Sequence, residues 1–445
     1  MPEDARPARA PRPRKRTLSA VDRLVNARDK APMDAAEPAP DAAQEPAHLR
    51  PRGSSQGGLR QYNERVVLQA VRLHGALPAA EIARLTHLTA QTISLITKRL
   101  LDDGLLVKGA AQRGKVGQPS VPLSLNPDGA YAVGIKVGRR SMDVLLTDFT
   151  GAVRERSTLE YRLPDPDVLL GEIGRRLAAL RRKLGTGKHL LVQGVGVAAP
   201  LSIGGWQQLL GFPPELTARW NALDLHRAVQ ALSPWPVSLM KDTAAACVAE
   251  LVAGRGRSVR SFLYIFVDTF IGGGLVLDSQ LRSGASGNAG AVGSLPLWLA
   301  RQANDPMPAQ LLSVASLLNL EQAWAGAGLD IDADARGVAL AGPWREQTER
   351  WLAQAGPAIA QAVNSAACLL DLEGVIVDGS FSRELLAALL ASTQAALPRY
   401  SWEGVAQPLL LPGTIGSDAR ALGGALLPLY ANFAPDRELF MKVAS

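Results

Sequence analysis

Beyond residue 58 the hydrophobic positions first follow a helical rhythm and then, from Tyr131, the shorter rhythm of buried strands. Val67, Ala70, Val71 and His74 recur at helical spacing, Gly75 ends that helix, and Pro78 opens a shorter one carrying Ile82 and Leu85. His87 and Leu88 lead to Thr89, whose hydroxyl suits it to cap the start of a third helix. There Ile93, Ile96 and Leu100 fall at i, i+3 and i+7, which gathers Gln91, Ser94, Leu95 and Lys98 on the opposite face. Gly104 closes the helix. LLVKGA and the later SVPLSLNP read as two strands, joined by a turn that carries Arg113 and Lys115.

From Tyr131 the segments YAVGIKVG, SMDVLLTD and AVRERSTLEYRL read as three strands joined by short turns. A helix follows from about Asp165 to Lys183, with Leu169, Ile173, Leu177 and Leu180 on one face, and then the buried-type strand LLVQGVGVAAP. A similar order returns with SFLYIFVD, IGGGLVLD, long helices and GVIVDGS. Two like halves, each with antiparallel strands feeding a parallel one, predict a duplicated α/β body with a ligand-sized cleft between the halves. Gly272 to Gly274 invite a phosphate-loop reading, but Asp268 puts a carboxylate at the mouth and Phe270 a ring where close approach is needed. A tight hairpin turn with positive φ is the expectation there. LGTGKHLL near residue 185 lacks the P-loop spacing and reads as a surface loop.

Composition adds boundaries. At 445 residues, nearly half of them apolar, the chain has room for two or three domains. Residues 1–57 are rich in Pro, Ala and charge and read as a disordered tail; its cluster Arg12, Arg14, Lys15 and Arg16 fits either non-specific attraction to DNA or a solvated tail. The net charge of +7 is unevenly spread, with 10 Lys+Arg against 4 Asp+Glu over Pro51 to Leu125, and 28 against 29 from residue 126 onward. A basic module at 58–127 joined to a near-neutral body at 128–445 is the layout of a nucleic-acid reader with a sensing or assembly domain. No apolar run approaches the ~18 residues of a membrane span and no signal peptide opens the chain, so a soluble, cytoplasmic protein without a membrane partner is expected, at the nucleoid when bound to DNA. Cys247 and Cys368 read as buried free thiols, and the five scattered histidines form no metal-ligand cluster with them.

The basic module has the parts of a winged helix-turn-helix. Thr89, Gln91, Thr92, Ser94 and Lys98 line the reading helix and its start; Gln91 can pair with adenine through two hydrogen bonds, and Thr92 and Ser94 can bond bases or phosphates. Arg113 and Lys115 on the wing can meet the phosphate backbone.

With that module in front, the order and spacing of AVGIKVG…LLTDFTG, GVGVAAPL, WNALDL, KDTAAACVAE, FIGGGLVLDSQLRSGASGNAGAVGSLPL, VIVDGSFS and GSDARALGGALLPLY resemble the repressor, open reading frame, kinase (ROK) family from about Tyr62 to Tyr430. The resemblance implies an actin-like, sugar-kinase (ASKHA) body, found both in sugar kinases and, behind a winged helix, in transcription factors that sense a sugar or related metabolite. Several kinase positions depart from the family pattern. The acid of the first strand pair is Lys136, and the phosphate turn after it reads Val137, Gly138, Arg139, Arg140. The second phosphate loop reads Asp268, Thr269, Phe270, Ile271, Gly272, and the paired glycines near the adenosine become Asp378 and Gly379. Ala291, Val292, Gly293 and Ser294 stand where the family carries a sugar-binding Glu and a zinc-ligating His, and the cysteine-rich zinc loop is missing. Gly272 to Gly274 would then keep a family turn whose phosphate function has been lost.

The family's general base aligns with Asp242, flanked here by Lys241 and Thr243. A Lys241–Asp242 pair would depress the Asp242 pKa; a retained ligand contact and a helix-start acid held by the dipole both remain open. The reading is therefore a DNA-binding regulator, a repressor, acting as a homodimer or homotetramer on an operator, with Lys241 and Asp242 as ligand contacts for a sugar or metabolite effector and with no metal, cofactor or catalysis expected. Two alternatives stand beside it: a ROK-type sugar kinase with a fused DNA-binding domain, and an effector-independent regulator that uses the body as an oligomerisation scaffold.

Overall fold

The computed structural model describes residues 56–111, 120–201, 203, 205, 210–298, 307–334 and 337–435, all within the unit Ser54–Ser445. The tail up to residue 55, with Arg12, Arg14, Lys15 and Arg16, and the turn cations Arg113 and Lys115 lie outside the described residues.

The N-terminal part has three helices, α1 (Gln56–His74), α2 (Ala79–Thr86) and α3 (Ala90–Asp102). They pack on a small antiparallel sheet of β1 (Leu77–Pro78), β2 (Leu106–Lys108) and β3 (Pro122–Leu125), in the order β1-β3-β2. The predicted apolar positions close this core: Val67, Val71, Ile82, Ile93, Ile96 and Leu100 are buried together with Leu106 and Leu123. His74, placed on the same stripe by spacing, is exposed at the helix end. His87 ends α2 in the left-handed conformation (φ 56°), which turns the chain sharply into α3. A 2.7 Å ion pair from Arg99 Nη1 to Glu64 Oε1 ties α3 to α1.

The body repeats one five-stranded plan twice. The first sheet runs β6-β5-β4-β7-β8, from β4 (Tyr131–Val137), β5 (Ser141–Asp148), β6 (Val153–Glu160), β7 (Val192–Ala199) and β8 (Val237–Lys241). The second runs β11-β10-β9-β12-β13, from β9 (Phe262–Val267), β10 (Gly272–Leu277), β11 (Gln280–Arg282), β12 (Gly374–Gly379) and β13 (Leu409–Pro412). In each, the first three strands pair antiparallel and the last two join in parallel. Helices α4 (Pro166–Lys188), α5 (Pro214–Ala222) and α6 (Leu225–Leu232) cover the outer face of the first sheet. Helices α8 (Leu312–Ala315), α9 (Leu317–Gly326), α10 (Arg345–Leu370) and α11 (Arg383–Ala396) cover that of the second.

Between the sheets lie α7 (Asp242–Ala253) and α12 (Ala419–Phe433), with α12 against β4, β5 and β7 and α7 against β10. They can approach because a Cβ at Gly423 would sit 1.6 Å from the Ala245 carbonyl oxygen, so no other residue fits the crossing.

Three expectations need correction. Gly272 to Gly274 are not a turn: they lie within β10, paired to Phe266, Ile265 and Tyr264, and none has positive φ. Their bareness serves packing, since a Cβ at Gly273 would meet the Tyr264 carbonyl oxygen at 2.4 Å and one at Gly274 would meet Cys247 Cβ at 2.6 Å. LGTGKHLL is not a loop: α4 kinks at Gly185 (φ 72°) and continues helically to Lys188. Of the two free thiols, Cys247 is buried but Cys368 is exposed near the end of α10.

Candidate functional site

The α3 face can be built residue by residue. Thr89 caps the helix, its hydroxyl accepting from the Thr92 backbone N–H at 3.2 Å and sharing a 2.9 Å hydrogen bond with the Thr92 hydroxyl. One side of the helix, Ile93, Ile96, Thr97 and Leu100, is buried, and the Thr97 hydroxyl donates back to the Ile93 carbonyl at 2.8 Å. Gln91, Ser94, Leu95 and Lys98 stand exposed together on the other side, Leu95 with 56% of its surface open. Thr89 and the partly exposed Thr92 sit at the helix start beside them.

Between the halves, where the sequence predicts a ligand-sized cleft, the polar contacts centre on a residue that hydrophobic spacing does not mark. Arg420, in the first turn of α12, is almost fully buried. Its Nη1 pairs closely with Asp268 and lies 3.7 Å from Asp242 Oδ2, its Nη2 donates to Ser380 Oγ at 3.1 Å, and its guanidinium lies 5.3 Å from the Phe266 ring centroid. Burial opposes the charge on Arg420, but Asp268 and Asp242 outweigh it and raise its pKa. Burial likewise opposes ionisation of Asp268, yet Arg420 and then Lys136 hold its pKa below the usual carboxylate range. For Asp242 burial wins over Arg420 and its pKa is raised.

The conditional pairing of Asp242 with Lys241 is not made. Lys241 Nζ donates instead to Asn288 Oδ1 at 2.8 Å, and Asp242 Oδ1 accepts from the Thr243 backbone N–H at 2.8 Å. Burial also lowers the Lys241 pKa. Lys241, bonded to Asn288, and Asp242, near Arg420, thus sit side by side at the junction of β8 and α7 with separate partners.

The other substituted positions are equally committed to internal partners. Lys136 donates to Asp143 Oδ2 at 3.0 Å and to Ser141 Oγ at 2.7 Å. Arg139 and Arg140, from the β4–β5 turn, reach Glu321 on α9 in the other half at 3.0 and 3.1 Å. Asp378 is fully buried, accepting from Arg383 Nη1 at 2.9 Å and from the Gly416 backbone N–H at 2.7 Å. Both turns that the resemblance assigns to ATP phosphates are therefore held by ion pairs. One signal in the sequence could have pointed to Arg420: it is the lone charge in an otherwise small and apolar helical run, ARALGGALLPLY.

Comparison with known proteins fits this geometry. The ROK family profile matches residues 132–430. The chain is 23% identical over 243 residues to a xylose repressor of Bacillus subtilis, an alignment that takes in 54% of this chain and 61% of the repressor. Among solved structures, a ROK family transcriptional regulator described as a homologue of the Escherichia coli Mlc protein superposes with a TM-score of 0.61 at 20% identity, covering 84% of this chain and 98% of that one. A ROK family glucokinase from Streptomyces griseus, in complex with glucose and AMPPNP, superposes with a TM-score of 0.52 at 17% identity over 67% of this chain and 99% of its own. These structures share the actin-like fold of the body.

Proposed function

Because the chain belongs to the ROK family, we propose that it is a sequence-specific DNA-binding transcriptional repressor, with residues 58–127 as a winged helix-turn-helix and 128–445 as a non-catalytic effector domain. The observation that carries this reading is the face of α3, where Gln91, Ser94, Leu95 and Lys98 lie exposed over a fully packed apolar side. A helix of that kind, with a capped start, enters the major groove and reads base edges. Relatives named as xylose repressors support the same role and nominate a sugar or related metabolite as effector. Its polar contacts would come from Lys241, Asp242 and Asn288 at the cleft. Operators with two-fold symmetry call for a homodimer or homotetramer.

The kinase alternative is disfavoured by charge. Asp268 stands at the second phosphate loop as a carboxylate paired to Arg420, so a satisfied ion pair occupies the place where a kinase would offer its charge and backbone N–H groups to a triphosphate. Selection of genomic fragments by the purified full chain at fixed salt tests the main reading. Enrichment of a near-palindromic site is expected. Enrichment of nothing beyond salt-sensitive background, or ATP-dependent phosphorylation of glucose or xylose, would overturn it.

A further inference from the structure

A second cavity lies away from the cleft, where α1 of the DNA-reading part meets the body. It encloses about 280 Å³ between α1, the end of α7, the β10–β11 hairpin and the last turns of α12. That volume is near the lower limit of small-ligand pockets, roughly 300–1,000 Å³. Its wall carries apolar surface from α12, including Phe433, the amides Gln69 and Gln280, and two arginines, Arg72 from α1 and Arg257 from the turn after α7.

The arginines are the unusual feature. Among the described residues no carboxylate lies within ion-pair distance of either. Arg72 donates to the Phe149 carbonyl at 3.1 Å and lies 5.1 Å from the centroid of that ring. Arg257 donates to the carbonyls of Leu73 (2.5 Å) and Arg72 (3.3 Å), at the C-terminal end of α1. Asp148, the carboxylate whose field reaches Arg72, is already bound to Arg154 at 2.6 Å and accepts from the Thr150 and Ala152 backbone N–H groups. Burial first, and repulsion from Arg257 second, pull the Arg72 pKa down to about 10. Two cations, the half-buried Arg72 and the exposed Arg257, thus line one cavity with no carboxylate among the described residues paired to either, one on each side of the joint between the DNA-reading part and the body.

We propose that this cavity binds a small organic anion, a carboxylate or phosphate ester with an apolar body, which bridges Arg72 and Arg257 and thereby sets how firmly α1 is held to the body. The anion would neutralise the repulsion between the guanidiniums, and its apolar part would lie along α12. The consequence for DNA affinity rests on the regulator reading above; the binding itself does not.

Calorimetric titration of the full chain with inorganic phosphate, glucose 6-phosphate, citrate and benzoate, and with glucose and xylose as uncharged controls, tests the site. At least one anion is expected to bind, with the phosphate and carboxylate arms telling which chemistry is preferred. Arg257→Gln should weaken that anion about tenfold or more. Gln69→Glu, which leaves the contacts to the α1 carbonyls in place and puts a carboxylate beside the arginines, should abolish binding. No binding by any anion, equal binding to both variants, or displacement of the anion by an uncharged sugar would overturn the proposal. Anion binding without enrichment of any DNA site would leave the cavity standing and sink the regulator reading, and the reverse pattern would sink the cavity alone.

Discussion

Removing the charge of Arg420 should destabilise the body and leave a pH signature. Arg420→Met keeps the length of the side chain but leaves Asp268 and Asp242 side by side without the guanidinium that both contact. Breaking a buried ion pair from one side costs roughly 3–5 kcal/mol, because the remaining charge stays buried. In a domain of this size 1 kcal/mol moves Tm by about 2 °C, so a fall of about 6–10 °C at pH 8 is expected in a thermal melt followed by circular dichroism. The pH dependence follows from the direction of the shifts. In the wild type the Asp268 pKa is depressed, so its contribution is present above the ordinary carboxylate pKa of about 4 and is lost as pH falls through the folded value. Without Arg420, burial lifts that pKa, and mild acid protonates the carboxylate and relieves the penalty. The deficit between variant and wild type should therefore narrow from pH 8 to pH 5, and Asp268→Asn added to Arg420→Met should recover part of it. A melting temperature within about a degree of wild type at pH 8, or a deficit independent of pH, would refute the account of the cleft as a self-neutralised cluster.

Other outcomes follow from the same geometry. Gly273→Ala should cost about 1–3 kcal/mol in urea unfolding, because its Cβ would press on the Tyr264 and Gly290 carbonyl oxygens; a neutral result would mean that β10 can shift. Thr89→Ala should cost about 0.5–2 kcal/mol of stability through loss of the α3 cap, seen as earlier melting. Gln91→Ala should relax preference at one base step of the selected site by about 1–3 kcal/mol, whereas Lys98→Gln should weaken all sequences alike and lower the salt slope of binding by about 1; a swap of these two behaviours would reverse their assigned roles.

How much of this was legible depends on where each signal is written. Strands such as Phe262–Val267 are buried at every position, so an uninterrupted apolar run marks them, and the three-helix core is given by the spacing of Val67, Ile82, Ile93 and Leu100. The fifth strand of each sheet and the third of the second carry no such mark, because Val237–Lys241, Leu409–Pro412 and Gln280–Arg282 are short edges without a fully buried face. Gly272 to Gly274 were misread because glycine signals either positive φ or close approach, and only the position of Cys247 and the Tyr264 carbonyl decides between them. The carboxylate partners of Arg420, Arg139 and Arg140 lie more than 150 residues away in the chain, beyond any local pattern.

The charged cleft also bears on where a signal can enter. A kinase cleft must admit a triphosphate and move its halves against each other around it. Here Arg139 and Arg140 bind Glu321 across the gap, and Arg420 fills the space between Asp242 and Asp268, so opening that gap would strand buried charges on both sides. The cost falls on relative motion of the two halves and not on the joint between α1 and the body, where Arg72 and Arg257 repel one another in an open cavity. A ligand shifts an equilibrium only as far as it binds one state better than the other. An anion at the α1 joint meets that requirement directly, since it neutralises a repulsion that exists only while the two arginines are held together.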